Sequence, residues 1–396
     1  MTEIDTPLIT VLVVNWRSGA MTRGLVDNVR RQRLPEHAAG QGLDFVVLDN
    51  ASGPEEEEHL AALEADEDVT VIRSKQNSGY ASGMNLACEH ARGQYVLVSN
   101  PDVMLFRGML TRMIEHMEAH PHCGLVGPKS FLDSHRFFQL PPNEKPSLWS
   151  LLSETMARAS SCAGECHARG RTRRAIEQWT ATTGVPVSQV SGASFLMLRD
   201  LANELGPFDT RYPFYFEDAD LCLRLHRRGF TTDLCPQAEL THFFNRSAGQ
   251  DPEAAMSRYE VSRRLFYRAR YGALGYWFAH LLLSFTSARS GRGHEFSEID
   301  DLGACEAPPT LDVPGTGGYV AELAVDPGFV FAAGRLDVTR RFQIPDVVWD
   351  GLVEAKYYVR FLERRSLKVL RVVCMEKLGA PTPVTAESAA AEIVHA

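Results

Sequence analysis

Hydrophobic positions in the first hundred residues fall in short continuous runs, separated by polar stretches with helical spacing. The runs at 8–16 ("LITVLVVNW"), 43–52 ("LDFVVLDNAS"), 69–74 ("VTVIRS") and 95–99 read as strands buried on both faces. Between the first two, Met21, Leu25 and Val29 recur at helical spacing, with Leu34 less regular. Glutamates at 55–58 open a second helix, where acids favour the positive end of the dipole, and 80–92 reads as a third. Strand and helix alternate, which predicts an α/β fold with a mostly parallel sheet flanked by helices.

The pattern loosens after residue 130. Residues 141–147 are a proline-rich loop, and 155–183 are polar and rich in Ala and Arg, an insertion or short helices. A strand is expected within 187–200, a short helix up to Gly206, a helix over about 216–228, two short strands within 231–243 and an arginine-rich helix over 252–271. Gly, Pro and acids dominate 291–318, which reads as a linker. Strand-like runs then return ("YVAELAVD", "FVFAAGRLDV", "KYYVRFLE", "LKVLRVVCM"). The expected organisation is a main domain over 1–290, a linker over 291–318, a small β-rich accessory domain over 319–378 and a disordered tail over 379–396.

Composition narrows the class. The chain has 396 residues, 44% hydrophobic and 23% charged, with a formal net charge of −9, which argues against a general affinity for nucleic acid. Its eight cysteines are scattered without a CxxC pair. Cys162, Cys166 and His167 have a weak zinc spacing with no second pair to complete it, so structural or free thiols in a reducing cytoplasm are expected. Glu3 and Asp5 stand where a signal peptide would carry positive charge, and no apolar run reaches the roughly 20 residues of a spanning helix. The apolar segment 273–288 is broken by His280 and flanked by Arg263, Arg264, Arg268 and Arg270 before it and Arg289 and Arg292 after it. Region 263–292 fits a buried helix with a basic flank, or peripheral contact at a membrane interface.

Candidate chemistry gathers at the C-terminal ends of the strands, which a parallel sheet places on one edge. These ends carry Asn15, then Asp49-Asn50-Ala51-Ser52, then "RSKQNSGYASGMN" (73–85), then Asn100-Pro101-Asp102. An acid ending the second strand suits a ribose or base hydroxyl. The stretch after the first strand, "NWRSGAM", lacks the dinucleotide glycine fingerprint, and no Walker A run exists. A nucleotide site without a phosphate loop needs a cation on its phosphates, which gives Asp102 a task, although Asn-Pro-Asp is also a good turn. Gly79 and Gly83 fit either a close backbone approach or a plain turn. Downstream, Glu217, Asp218 and Asp220 crowd the start of a helix after Tyr212, Phe214, Tyr215 and Phe216. Such acids are ordinary dipole partners, and carboxylates beside aromatic walls are also what a general base in a sugar site needs. His242 follows a strand; a lone histidine is commonly structural unless it meets Asp102.

Taken in order, "VLVVNW", "VVLDNAS", "QNSGYASGMNLACEHARGQYVLVSNPDV", "VSGASFLMLR", "LGPFDTRYPFYFEDADLCLRLHRRGF" and "THFFNRS" resemble glycosyltransferase family 2, the inverting GT-A enzymes, over about residues 8–245. The likeness is greatest to its rhamnosyltransferase-like branch, acting in O-antigen, cell-wall or related polysaccharide biosynthesis. The resemblance implies a nucleotide-diphosphate sugar donor, dTDP-rhamnose first, a glycan or polyprenyl-linked acceptor, and Mg2+ or Mn2+. It implies that Asp49 contacts the nucleobase with Asn15 in the same pocket. Asn77, Gly79, Asn85 and Asn100 would shape the nucleotide side. Asp102 and His242 would bind the metal, although the first acid of a strict DxD motif is absent. Asp218 would be the catalytic base with Glu217 beside it, and Gly192 and Ala193 would line the donor–acceptor cleft. The place implied is the cytoplasm, at the inner face of the plasma membrane, with a homodimer as a further expectation. The competing classes are a non-catalytic nucleotide-sugar-binding protein on the same scaffold and an NAD-type oxidoreductase, the latter opposed by the missing glycine fingerprint.

Overall fold

The four apolar runs become β1 (Ile9–Asn15), β2 (Leu43–Asp49), β3 (Val69–Arg73) and β4 (Tyr95–Ser99) in a computed structural model of the chain. The structure describes residues 7–38, 40–213, 215–243, 252–288, 299–315 and 318–379. Helices α1 (Gly19–Arg30), α2 (Glu57–Glu64) and α3 (Tyr80–Glu89) alternate with these strands, and β1 pairs parallel with both β2 and β4. Alternation along β1 explains its double burial. Ile9, Val11 and Val13 pack with Leu25 and Val29 of α1, whereas Leu12 and Val14 pack with Met84 and Ala87 of α3. Each such side chain contributes about 1.5–3 kcal/mol when removed from water, which fixes the register of the sheet.

The chain continues as β5 (Val103–Leu105), α4 (Met109–Ala119), β6 (Cys123–Phe131), α5 (Leu148–Ala159), α6 (Ser161–Trp179), β7 (Val185–Pro186), β8 (Ser194–Leu198), α7 (Arg199–Leu205), α8 (Glu217–Arg227), β9 (Thr231–His242) and α9 (Pro252–Ala288). The sheet runs β3-β2-β1-β4-β8-β6-β9-β5, with β7 also on β9. Its first half is parallel as expected. The second half is mixed, because β8 inserts antiparallel between β4 and β6, and β5 pairs antiparallel with β9. The stretch read as an insertion or short helices over 155–183 holds the end of α5 and all of the 19-residue α6, which pack as a helical pair. The two short strands expected within 231–243 are one strand: residues 236–238 loop out between the pairs Pro128↔Cys235 and Lys129↔Glu239. Pro236, which cannot donate to a ladder, sits in that bulge.

The C-terminal unit differs from the expectation in where it starts and how it is attached. Residues expected in the linker form β10 (Asp300–Cys305) and β11 (Thr310–Asp312), which pair with β16 (Val369–Lys377) and β14 (Arg341–Gln343). The other strands are β12 (Tyr319–Ala324), β13 (Ala332–Val338) and β15 (Ala355–Glu363), and α10 (Asp346–Gly351) completes the unit. Its core includes Phe138 from the main domain, and Gln139 exchanges two backbone hydrogen bonds of 2.8 Å with Gly334. A buried Arg360–Glu322 pair faces α6, where Thr172 Oγ1 donates to Glu322 at 2.9 Å. The unit is thus welded to α6, not tethered. The tail from 380, residues 291–298 and 316–317 of the expected linker, and residues 289–290 before it lie outside the described residues. Among the described residues no helix is long and apolar enough to cross a membrane.

Candidate active site

The end of β4 and the short β5 place Asp102. β5 pairs with β9 so that Val103 faces His242, and the Phe243 amide donates to the Asp102 carbonyl at 2.9 Å. The side chains meet: His242 Nε2 lies 3.5 Å from Asp102 Oδ1. Asp102 is 3% exposed, and its Oδ1 has no hydrogen-bond donor. A buried carboxylate oxygen left so costs about 1–3 kcal/mol or more, which a bound cation would offset. The oxygen and imidazole donors at this point fit Mg2+ or Mn2+. Asn100 is held by its amide, which donates to the Ala193 carbonyl at 2.8 Å.

The second carboxylate group enters from α8. Asp218 Oδ2 accepts from the Gly192 amide at 3.1 Å, and its Oδ1 accepts from the Ala219 amide at 2.7 Å. A Cβ on Gly192 would stand 3.3 Å from the Asp218 Cβ, so the absence of a side chain there permits the approach. Burial pushes the Asp218 carboxyl above its usual range, opposed by the Gly192 and Ala219 amides and the Gln189 side chain. Burial, then the charge of Asp218, pushes Glu217 up to about 8. The donors on Asp218 favour its charged form, whereas Glu217 has none from a neighbouring side chain and is held toward its protonated form. The preceding Tyr215 and Phe216 have φ of 62° and 71°, a left-handed turn that costs bulky residues about 1–3 kcal/mol each. Packing holds it: the Phe216 ring lies 5.3 Å from Tyr259 and 5.4 Å from Phe266 of α9. Arg224 anchors the same helix, donating to the carbonyls of Leu205, Gly206 and Pro207 and to Asp220.

Tyr80, the first residue of α3, joins the two groups. Its hydroxyl donates to the Gly192 carbonyl at 3.3 Å. Burial and the charges of Glu217, Asp218 and Asp102 together raise its pKa well above the ordinary tyrosine value. Tyr215 feels the same three carboxylates, again after burial. Asp102, Glu217 and Asp218 therefore share one electrostatic neighbourhood. A cavity adjoins this neighbourhood through His242 and Gln189, and Ser191, Pro141, Trp179 and Phe331 are among its other lining residues. Phe331 comes from the C-terminal unit, and Gln189 Oε1 is buried without a partner. Tyr80, Gln189 and Phe331 had no signal in the sequence: each acquires its place only through the fold.

The nucleotide-side residues separate into two networks. Asn15 Nδ2 donates to Asp49 Oδ1 at 2.9 Å, and Asn15 Oδ1 accepts from Ser18 and Thr22 at 3.0 Å each. Asn15 is thus fully engaged within the protein and holds Asp49, whose carboxylate also accepts from Ser52. Asn50 donates to Asn77 Oδ1 at 3.0 Å, and the same oxygen accepts from the Gly79 amide at 2.9 Å. Gly79 precedes α3 with φ 84°. Asn85 stands apart, with both ends of its amide bound to the Phe208 backbone. Cys162 and Cys166 are exposed free thiols, and His167 bonds Ser153 instead. A buried His116–Cys123–Asp233 cluster, in which His116 Nε2 lies 2.9 Å from Asp233, had no signal in the residue pattern. Burial, then the charge of Asp233, pushes the Cys123 thiol up to about 12, which disfavours the thiolate that a metal would need.

The mixed α/β sheet with its helices is a fold of the GT-A type, and it brings the Asp102–His242 pair and the half-buried acids that open α8 into one neighbourhood. Residues 10–178 match the family model described as "Glycosyl transferase family 2", and the chain is a glycosyltransferase of that family's type. It is 26% identical over 246 residues, 59% of this chain and 77% of the other, to a protein of Mycobacterium tuberculosis named N-acetylglucosaminyl-diphospho-decaprenol L-rhamnosyltransferase. Among solved structures it is similar to the mannosyltransferase PcManGT of Pyrobaculum calidifontis in complex with GDP-Man and Mn2+ (17% identity, TM-score 0.41, 71% of this chain and 75% of that one). It is also similar to S. aureus TarS 1-349 in complex with UDP-GlcNAc (14% identity, TM-score 0.44, 71% and 72%).

Proposed function

We propose that the chain transfers rhamnose from a nucleoside-diphosphate donor, dTDP-rhamnose first, to a hydroxyl of a polyprenyl-diphosphate-linked glycan, with inversion at the anomeric carbon. The observation that carries this reading is the donorless Asp102 Oδ1, 3.5 Å from His242 and in the electrostatic neighbourhood of Asp218. The named activity of the M. tuberculosis relative supports the sugar and the lipid-linked acceptor.

Asp102 and His242 would hold a Mg2+ or Mn2+, and such an ion neutralises the charge that develops on a leaving diphosphate. The chain's own residues do the rest. Asp218 accepts the proton of the acceptor hydroxyl as that oxygen attacks. The Gly192 and Ala219 amides fix the carboxylate and favour its charged form, while burial favours the protonated form of Glu217 beside it. Gly192 and Ala193 form the floor between donor and acceptor. Asp49, oriented by Asn15, and the Asn50–Asn77–Gly79 turn form the nucleoside side.

The test is to incubate the chain with Mn2+, a panel of nucleoside-diphosphate sugars and a polyprenyl-diphosphate-linked acceptor. Release of nucleoside diphosphate together with a glycosylated lipid, lost in Asp218→Asn, is the expected result. Turnover retained in Asp218→Asn contradicts the assignment of the base.

A further inference from the structure

α9 is apolar on two opposite faces. One face packs inward: Ala279, Leu282 and Leu283 form a core with Leu151 of α5 and with Tyr267. The other carries Leu274, Trp277, Phe278 and Leu281, at positions i, i+3, i+4 and i+7, with Leu274 87% and Trp277 65% exposed. Trp149, at the start of the neighbouring α5, is 76% exposed. A helix that is apolar all round requires a second apolar environment. Charge says which. Residues 261–288 contain four arginines and no aspartate or glutamate, in a chain with 50 acids and a net charge of −9. Arg264 and Arg268 are exposed on the arm before the break at Gly272 (φ 67°). Stacking two copies through this region would bring like charges together, whereas an anionic lipid surface complements them. Exposed Trp beside Leu and Phe, with arginines adjoining, is the pattern of a helix lying in a bilayer interface.

We infer that the outward face of α9 after Gly272, with Arg264 and Arg268 beside it, docks the protein on an anionic phospholipid bilayer. The arm before Gly272 carries Tyr259 and Phe266, which brace Phe216 at the entrance to Glu217 and Asp218. One helix thus links the lipid surface to the catalytic loop. Only the use of this link, presenting a polyprenyl-linked acceptor, rests on the proposed function; the docking itself does not.

The experiment is co-sedimentation of the full chain with vesicles of phosphatidylcholine, alone or with phosphatidylglycerol, at low and high salt. Partition to anionic vesicles should exceed that to neutral ones by about tenfold and weaken with salt. The double variant Leu274→Glu/Trp277→Glu should lower it by about tenfold or more with an unchanged melting temperature. If that variant fails to fold, Arg264→Glu/Arg268→Glu should remove the anionic preference alone. Failure of the wild-type chain to bind anionic vesicles, equal binding to both lipids, or binding unchanged in the variants overturns the inference. So does a concentration-dependent dimer, seen by light scattering, that the double variant dissolves. No donor sugar is needed, so a failed transferase reading leaves this result untouched.

Discussion

Asp102 Oδ1 and His242 Nε2 lie 3.5 Å apart, and 140 residues of sequence separate them. The β5–β9 ladder makes this contact by setting Val103 opposite His242. The carboxylate oxygen has no hydrogen-bond donor. Burying a carboxylate in this way stabilises nothing by itself, so its value lies in what it can bind.

Asp218→Asn keeps the shape and both amide contacts' neighbours but removes the base. Its kcat should fall by about 100- to 10,000-fold, with donor binding measured by calorimetry largely kept. The wild-type rate should fall on the acid side through an apparent pKa above the usual carboxylate range of about 4, because burial raises the Asp218 carboxyl. A flat acid limb down to pH 4 would remove Asp218 from the role.

Glu217 has a pKa raised to about 8 in the folded chain, so the folded state binds its proton more tightly than the unfolded state does. Its contribution to stability is fully present below the unfolded value near 4.5 and is lost as pH rises through 8. Glu217→Gln removes that loss. In EDTA at pH 8 the variant should be more stable by on the order of 1–3 kcal/mol, and at pH 5 close to the wild type, as read by urea denaturation.

The first four strands were legible because each is a continuous apolar run with a polar, helix-spaced stretch after it. The strand over 300–305 was not, because it is an exposed edge with no apolar face to mark it, and its Gly and acids read as a linker. β9 read as two strands because Pro236 sits in its bulge. Asp49, Asp102 and His242 were visible as polar residues ending buried runs, and Asp218 as an acid opening a helix after a run of aromatics. Asn15 and Asn85 were visible too, but only the fold reveals that their amides are spent on Asp49 and on the Phe208 backbone. Gln189 and Tyr80 carry no pattern, since a single polar residue gains meaning only from what packs beside it.

The C-terminal unit forms part of the cavity wall through Phe331, and its buried Glu322–Arg360 pair meets Thr172 of α6. Glu322→Gln leaves the Arg360 charge without its partner. The chain should lose about 3–5 kcal/mol in urea denaturation. A loss below about 1 kcal/mol would show that the pair is not buried as described.

Gln189, which lines the cavity, donates to Asp218, and its Oε1 is buried without a partner. Gln189→Ala should therefore raise the KM for the acceptor and move the acid limb of kcat to higher pH, since the Asp218 carboxylate loses a donor. A change in KM for the donor sugar alone would place Gln189 on the other side of the site.

The central claim is tested most directly by calorimetric titration of a nucleoside diphosphate into the chain with Mn2+, with EDTA, and with Mn2+ in Asp102→Asn and His242→Ala. Binding that requires Mn2+ and weakens by about tenfold or more in either variant is the predicted result. Binding of equal strength in EDTA, or untouched by the loss of Asp102, would contradict it.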